Sequence, residues 1–194
     1  VAAPYKFLAS IFKVDENSLK EVPYEYMEFE VNKERKRRLK NVARVLKKKD
    51  QLVVEYYPKG NADLEMDFIA FDHVKKMYLD SLRADTTMEK VDSAKVMGLS
   101  PRDSLLYQFI LKETRLSDQL APVSEHCRTI MGQDSLVVVY HKIKRRRHDL
   151  FLQTLTTELE VDQKRIRVWK PDLSIRRDTI NLARPAYLLN FDVK

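Results

Sequence analysis

The side chains best suited to chemistry are thinly spread along this 194-residue chain. His126 and Cys127 are adjacent, as a nucleophile and its base might be, but neighbours on a helix point about 100° apart. Cys127 instead shares an apolar stripe with Val123, Ile130 and Met131, which predicts a buried, unreactive thiol. His73, His126, His141 and His148 are scattered, and a single cysteine cannot build a zinc cluster, so the histidines read as solvated or capping residues. The carboxylate pairs Glu28/Glu30 and Glu158/Glu160 fall on faces expected to meet water, where solvation explains them without acid/base work. Glycines 60, 98 and 132 never approach one another in sequence, which removes every phosphate-cradling loop. No catalytic constellation, cofactor motif or metal site is legible, and the chain reads as a binding protein rather than an enzyme.

The charge is more informative. Of a net +7, the segment Lys33 to Asp50 alone supplies +8, with ten Lys and Arg against Glu34 and Asp50 in 18 residues, leaving −1 for everything else. A smaller basic run, 141–148, holds Lys142, Lys144, Arg145, Arg146 and Arg147. Such concentrations favour a phosphate, an anionic lipid or an acidic polymer as partner. The candidate anionic-partner surface comprises Arg35, Arg37, Arg38, Lys40, Arg44 and Lys47, with Lys144, Arg145 and Arg146 as a second patch. Aromatic residues that could stack bases are missing from the first segment. Tyr56, Tyr57 and Trp169 sit near strand ends and read as core or edge packing.

The elements that must position these residues follow from periodicity. Tyr5, Leu8 and Phe12 fit a short helix, and a loop follows over 15–20. Met27, Phe29 and Val31 alternate with Glu28 and Glu30, which predicts a strand over 24–31. Asn32 offers an N-cap to a basic helix whose apolar stripe is Leu39, Val42, Ala43 and Leu46. Residues 52–57 read as a buried strand, ended by a turn at Pro58 to Asn61. Residues 61–132 look helical throughout: one helix runs to about Ser81, another starts at Ser100 and Pro101, and a third ends at Gly132. Strand character returns at 135–140, followed by a helix from Ile143 to Leu155 and strands at 165–169 and 187–193. Pro171 and Pro185 bracket a helix-poor connection.

This order, with Met27 to Asn32 leading into Leu39, Val42, Ala43 and Leu46 and then Leu52 to Tyr56, resembles the opening of OmpA-like C-terminal domains. Lys144 to Leu155, the approach to the next strand over Val161 to Val168, and the closing Leu188 to Val193 resemble the rest of that family. The leading segment Pro4 to Phe12 and a long helical insertion are similar, more narrowly, to the module that ends large AsmA-like envelope proteins. The resemblance implies an α+β fold, a β-α-β/α-β-β two-layer sandwich with a mixed sheet, in which 1–194 form a single domain and 61–134 a helical insertion. It implies a periplasmic setting as part of a membrane-anchored parent, and a start at Val1 rather than Met fits a piece of a longer chain.

In the family a carboxylate and an arginine bind a peptidoglycan stem peptide. Here only an arginine matches, Arg147, while Tyr57 to Asn61 carry a lysine and no acid. The implied pocket is therefore degenerate, because the ligand's ammonium finds no counter-charge. The resulting expectation is a non-catalytic binding or scaffolding module linked to envelope integrity or lipid transport, with anionic lipid or cell-wall polymer as partner. A nucleic-acid-binding domain using the basic helix 33–49 is the alternative, and a hydrolase with a shape-only pocket stays open.

Overall fold

The computed structural model describes residues 5–84, 91–114, 121–169 and 184–193. The chain divides into two compact units, residues 1–62 with 141–194 and residues 63–140. Helix α3, Ala62–Ala84, begins at the first boundary, and the second boundary falls within α7, Gln133–Gln153. No helix among the described residues is long and apolar enough to cross a membrane.

The first unit is α+β. Its strands are β1 (Glu21–Pro23), β2 (Leu52–Lys59), β3 (Ile166–Val168) and β4 (Ala186–Val193), lying side by side in the order β1-β4-β2-β3. β4 is antiparallel to both neighbours, pairing Tyr187 with Val22 and Leu189 with Tyr56, whereas β3 runs parallel to β2 with Arg167 beside Glu55. Because successive strand side chains alternate faces, Val54 and Tyr56 point the same way as Tyr187, Leu189, Phe191 and Ile166. That face is covered by α1 (Tyr5–Phe12), α2 (Lys33–Lys48), the end of α7 and the turn Thr154–Glu158 after it, which contribute Leu8, Phe12, Leu39, Val42, Leu46, Phe151 and Leu155 to one core. The rings form a chain: Tyr24 meets Tyr187 edge-on, Tyr187 stacks on Phe151 at 4.1 Å, and Phe151 meets Tyr56 edge-on at 4.8 Å.

Asn32 caps α2 as its position suggests, its Oδ1 accepting from the Arg35 N–H at 3.0 Å. Three local expectations are corrected. The strand expected over 24–31 lies earlier, at 21–23, and 24–31 is a loop with Met27 at φ +64°. Its carbonyls are engaged by arginine side chains instead of a neighbouring strand, as detailed below. The turn expected at Pro58 is still strand. Among the described residues β3 pairs with β2 only as far as Tyr56, so Pro58 faces no neighbouring strand on that flank, where a missing N–H costs little. Residues 135–140 are helical, because Leu136, Tyr140, Ile143, Arg147 and Phe151 recur at three- and four-residue intervals and are all buried. The β-branched run Val137 to Val139 is outvoted by that longer period.

The second unit comprises most of α3, with α4 (Ser93–Met97), α5 (Ser104–Thr114), α6 (Val123–Met131) and the start of α7. Within it, the helix expected from Ser100 starts at Ser104, because Asp103 rather than Ser100 caps it, its Oδ1 accepting from the Leu106 N–H at 3.0 Å. Gly132 ends α6 at φ +79°, a conformation that strains any residue with a Cβ. The connection expected between Pro171 and Pro185 lies largely outside the described residues.

Candidate anion-binding surface

The basic helix α2 sorts its cations into three sets by direction. Taking 100° per residue, Arg35 stands on the apolar stripe of Leu39, Val42 and Leu46, Arg38 stands at its edge, and Arg37, Lys40 and Arg44 stand opposite it. Lys36 and Lys47 lie on one flank.

The inward set is structural. Arg35 is only 5% exposed. Its Nε donates to the Pro23 carbonyl at 2.8 Å, one Nη to the Glu30 carbonyl at 2.9 Å and the other to the Glu28 carboxylate. Its guanidinium also lies 4.3 Å from the centre of the Tyr24 ring. Burial pushes the Glu28 carboxyl upward, but the bond from Arg35 and the nearby Arg147 charge outweigh it and hold the group below its usual range. Arg38 bonds the Asn17 and Glu21 carbonyls and pairs with Glu34 at 3.0 Å. Counted from sequence with the partner surface, Arg35 and Arg38 are instead committed to holding β1 and the loop 24–31 against α2.

The flanking set is neutralised. At the end of α7 the helix widens into a π turn over Thr154–Glu158, and the chain then turns through Glu160 at φ +51°. This sets Glu158 against Lys36 and Glu160 against Lys47 at 3.7 Å. The carboxylate pair read as plain solvated charge thus forms one wall of an open groove whose other wall is Lys40, Ala43, Arg44, Lys47 and Lys48.

The outward set is free. Arg37, Lys40 and Arg44 are exposed, and their charged groups make no ion pair or hydrogen bond among the described residues. Lys33 and Lys48 extend the same row along the helix. At the far end, Arg165 donates to the Leu52 carbonyl at 2.8 and 3.1 Å and to the Lys49 carbonyl, satisfying backbone acceptors where α2 runs into β2. The sequence reading missed this role of Arg165.

On α7, Arg145 and Arg146 are exposed, Lys144 is half-buried and Arg147 is buried at 6% exposure. The Arg147 Nε donates to the Glu28 carbonyl at 2.8 Å, and its guanidinium lies 5.1 Å from the centre of the Tyr24 ring. Arg35 and Arg147 therefore both rest on Tyr24 and both hold the loop 24–31. Burial raises the Tyr24 phenol to about 12 despite the two guanidiniums, so it stays protonated.

On the opposite face of the sheet, Glu55 accepts from the Tyr57 hydroxyl and from Arg167 at 3.0 Å. Tyr57 stacks on the exposed Trp169. In the second unit Cys127 is buried, and burial together with the Asp67 charge raises its thiol to about 12. His126 is buried as well, with neither ring nitrogen hydrogen-bonded among the described residues, and its burial corrects the solvated reading. Asp67, Phe68, Phe71, Pro101, Val123 and Ser124 line an apolar cavity of about 190 Å³, and Arg128 pairs with Asp67 at 2.6 Å. Among the described residues no three His, Cys, Asp or Glu side chains are grouped to hold a metal ion.

No family model, curated protein or solved structure matches this chain.

Proposed function

We propose that the chain is a non-catalytic, OmpA-like binding module of a larger AsmA-like cell-envelope protein, working in the periplasm, and that the outward row of α2 holds an anionic partner. The observation that carries the reading is the row Arg37, Lys40 and Arg44. These cations are exposed and make no ion pair among the described residues, although carboxylates pair with Lys36 and Lys47 on one flank of the same helix and with Arg38 at the edge of its apolar stripe. Mutual repulsion along such a row is relieved when an anion lies on it.

The OmpA-like part of the reading draws support from the order of elements in the first unit, β1-α2-β2 and then α7-β3-β4 on a mixed sheet. The degenerate ligand pocket draws support from Arg147, which is engaged by the Glu28 carbonyl and Tyr24 rather than open to a ligand carboxylate.

The test is elution from immobilised heparin, a soluble polyanion, over a salt gradient. The wild type is expected to elute late and the triple variant R37E/K40E/R44E at the start, with both giving the same far-ultraviolet circular dichroism. Coincident elution of the two proteins would remove the reading. Tighter retention on duplex DNA than on heparin at equal salt would favour the nucleic-acid alternative.

A further inference from the structure

We infer that α1 and α2 together form a contact face for an anionic lipid surface, with Phe7 and Ile11 entering the headgroup and acyl boundary and the α2 row taking the phosphates. This rests on the proposal that α2 binds an anion, and it names the source of that anion. α1 is fixed to the sheet by Leu8, Ala9 and Phe12, which are buried, and by Tyr5, whose hydroxyl donates to the Leu189 carbonyl at 2.6 Å. Its other face nevertheless presents two large apolar side chains one turn apart, Phe7 at 64% exposure and Ile11 at 48%. Two neighbouring apolar side chains on a short, well-anchored helix form a small apolar patch whose meaning is set by the charge around it.

The charge around the pair selects the kind of phase. Lys6 and Lys13, both exposed, stand at either side of Phe7 and Ile11 along the chain. Of the acids on the adjoining segments, Glu16 pairs with Lys20 at 2.6 Å and Glu34 with Arg38, while the exposed Asp15 accepts from the Asn17 N–H and the Ser18 hydroxyl. α1 and α2 bury their inner faces in the same core on the same side of the sheet, so their outer faces are both turned away from that sheet. The exposed apolar pair and the exposed cations Arg37, Lys40 and Arg44 thus belong to one layer. A dissolved polyanion has no use for Phe7 and Ile11, whereas a lipid surface uses both the apolar pair and the cations.

The experiment is co-sedimentation with vesicles of equal parts phosphatidylcholine and phosphatidylglycerol, run beside the heparin elution. F7S/I11S replaces only exposed side chains and is expected to weaken vesicle binding at least about tenfold while leaving heparin elution unchanged. R37E/K40E/R44E is expected to lose both. Wild-type vesicle binding by F7S/I11S, or heparin binding by the wild type without vesicle binding, would overturn the lipid inference and leave the anion-binding proposal standing. Retention of both activities by R37E/K40E/R44E would remove the proposal itself. Unchanged circular dichroism and melting temperature in F7S/I11S tie a loss to the surface rather than to unfolding.

Discussion

The guanidinium of Arg35 lies 4.3 Å from the centre of the Tyr24 ring while its three nitrogens bond the Pro23 carbonyl, the Glu30 carbonyl and the Glu28 carboxylate. One side chain of α2 therefore holds both ends of the loop that leads into α2, with Arg147 bonding its Glu28 carbonyl. Arg35→Ala leaves two carbonyls and a carboxylate without their donor and is expected to destabilise the protein by about 3 kcal/mol. Arg37→Ala, two residues on but facing water, is expected to stay within about 0.5 kcal/mol of wild type. Urea unfolding of the two variants side by side checks the contrast. Equal stability would mean that Arg35 does not hold the loop.

Tyr56 sits in the middle of the core with a hydroxyl that is buried and has no hydrogen-bond partner among the described residues. Desolvating that group opposes folding without a compensating bond. Tyr56→Phe keeps the edge-on contact with Phe151 and removes the hydroxyl, so a gain of about 1 kcal/mol is expected, read as a higher urea midpoint with an unchanged slope. A lower midpoint would show that the hydroxyl is satisfied in solution.

Glu28 and Glu55 are both held below the usual carboxylate range. In Glu28 burial is outweighed by the bond from Arg35, and in Glu55 the leading causes are the bonds from the Tyr57 hydroxyl and from Arg167. A depressed folded-state value means that the stabilisation is complete above the unfolded glutamate value of about 4.3. It is lost as pH falls from there through the lower folded value. Glu28→Gln and Glu55→Gln are each expected to flatten the acid limb of the stability–pH curve and to leave its neutral plateau without pH dependence. An acid limb unchanged in both variants would exclude these two carboxylates as its source.

Cys127 is buried, with a thiol raised to about 12, so it should resist a thiol reagent at neutral pH until its unit opens. Labelling by dithionitrobenzoate is expected to track urea concentration along the unfolding curve and to be negligible before it. Rapid labelling in native buffer would show that α6 opens locally.

The reading of α2 from sequence alone succeeded in part, and the reason is specific. Its cap, its stripe and its excess charge are local properties, and Asn32, Leu39, Val42 and Leu46 behave as their spacing requires. The sorting of its cations was also present in the spacing, because Arg35 stands four residues before Leu39 and seven before Val42, on the buried line. The neutralisation of Lys36 and Lys47 was not. Glu158 and Glu160 lie more than 100 residues away in sequence, and a π turn brings them alongside. The misread strands at 24–31 and 135–140 fail for opposite reasons. In the first, long-range arginine bonds overrode a true alternation. In the second, a six-residue window was too short to reveal a helical period that only 136–151 together display.

Composition and periodicity by themselves determined that the chain has a mixed α and β architecture, that its charge is concentrated on one helix, and that no glycine-rich phosphate loop exists. These follow from interactions within a few turns or from residue counts. Tertiary structure alone decided which partners the cations of that helix meet, and so that Lys36 and Lys47 are neutralised. A cation's fate depends on which carbonyls and carboxylates the fold brings within reach, and Glu158 and Glu160, distant in sequence, come alongside Lys36 and Lys47 only in the folded chain.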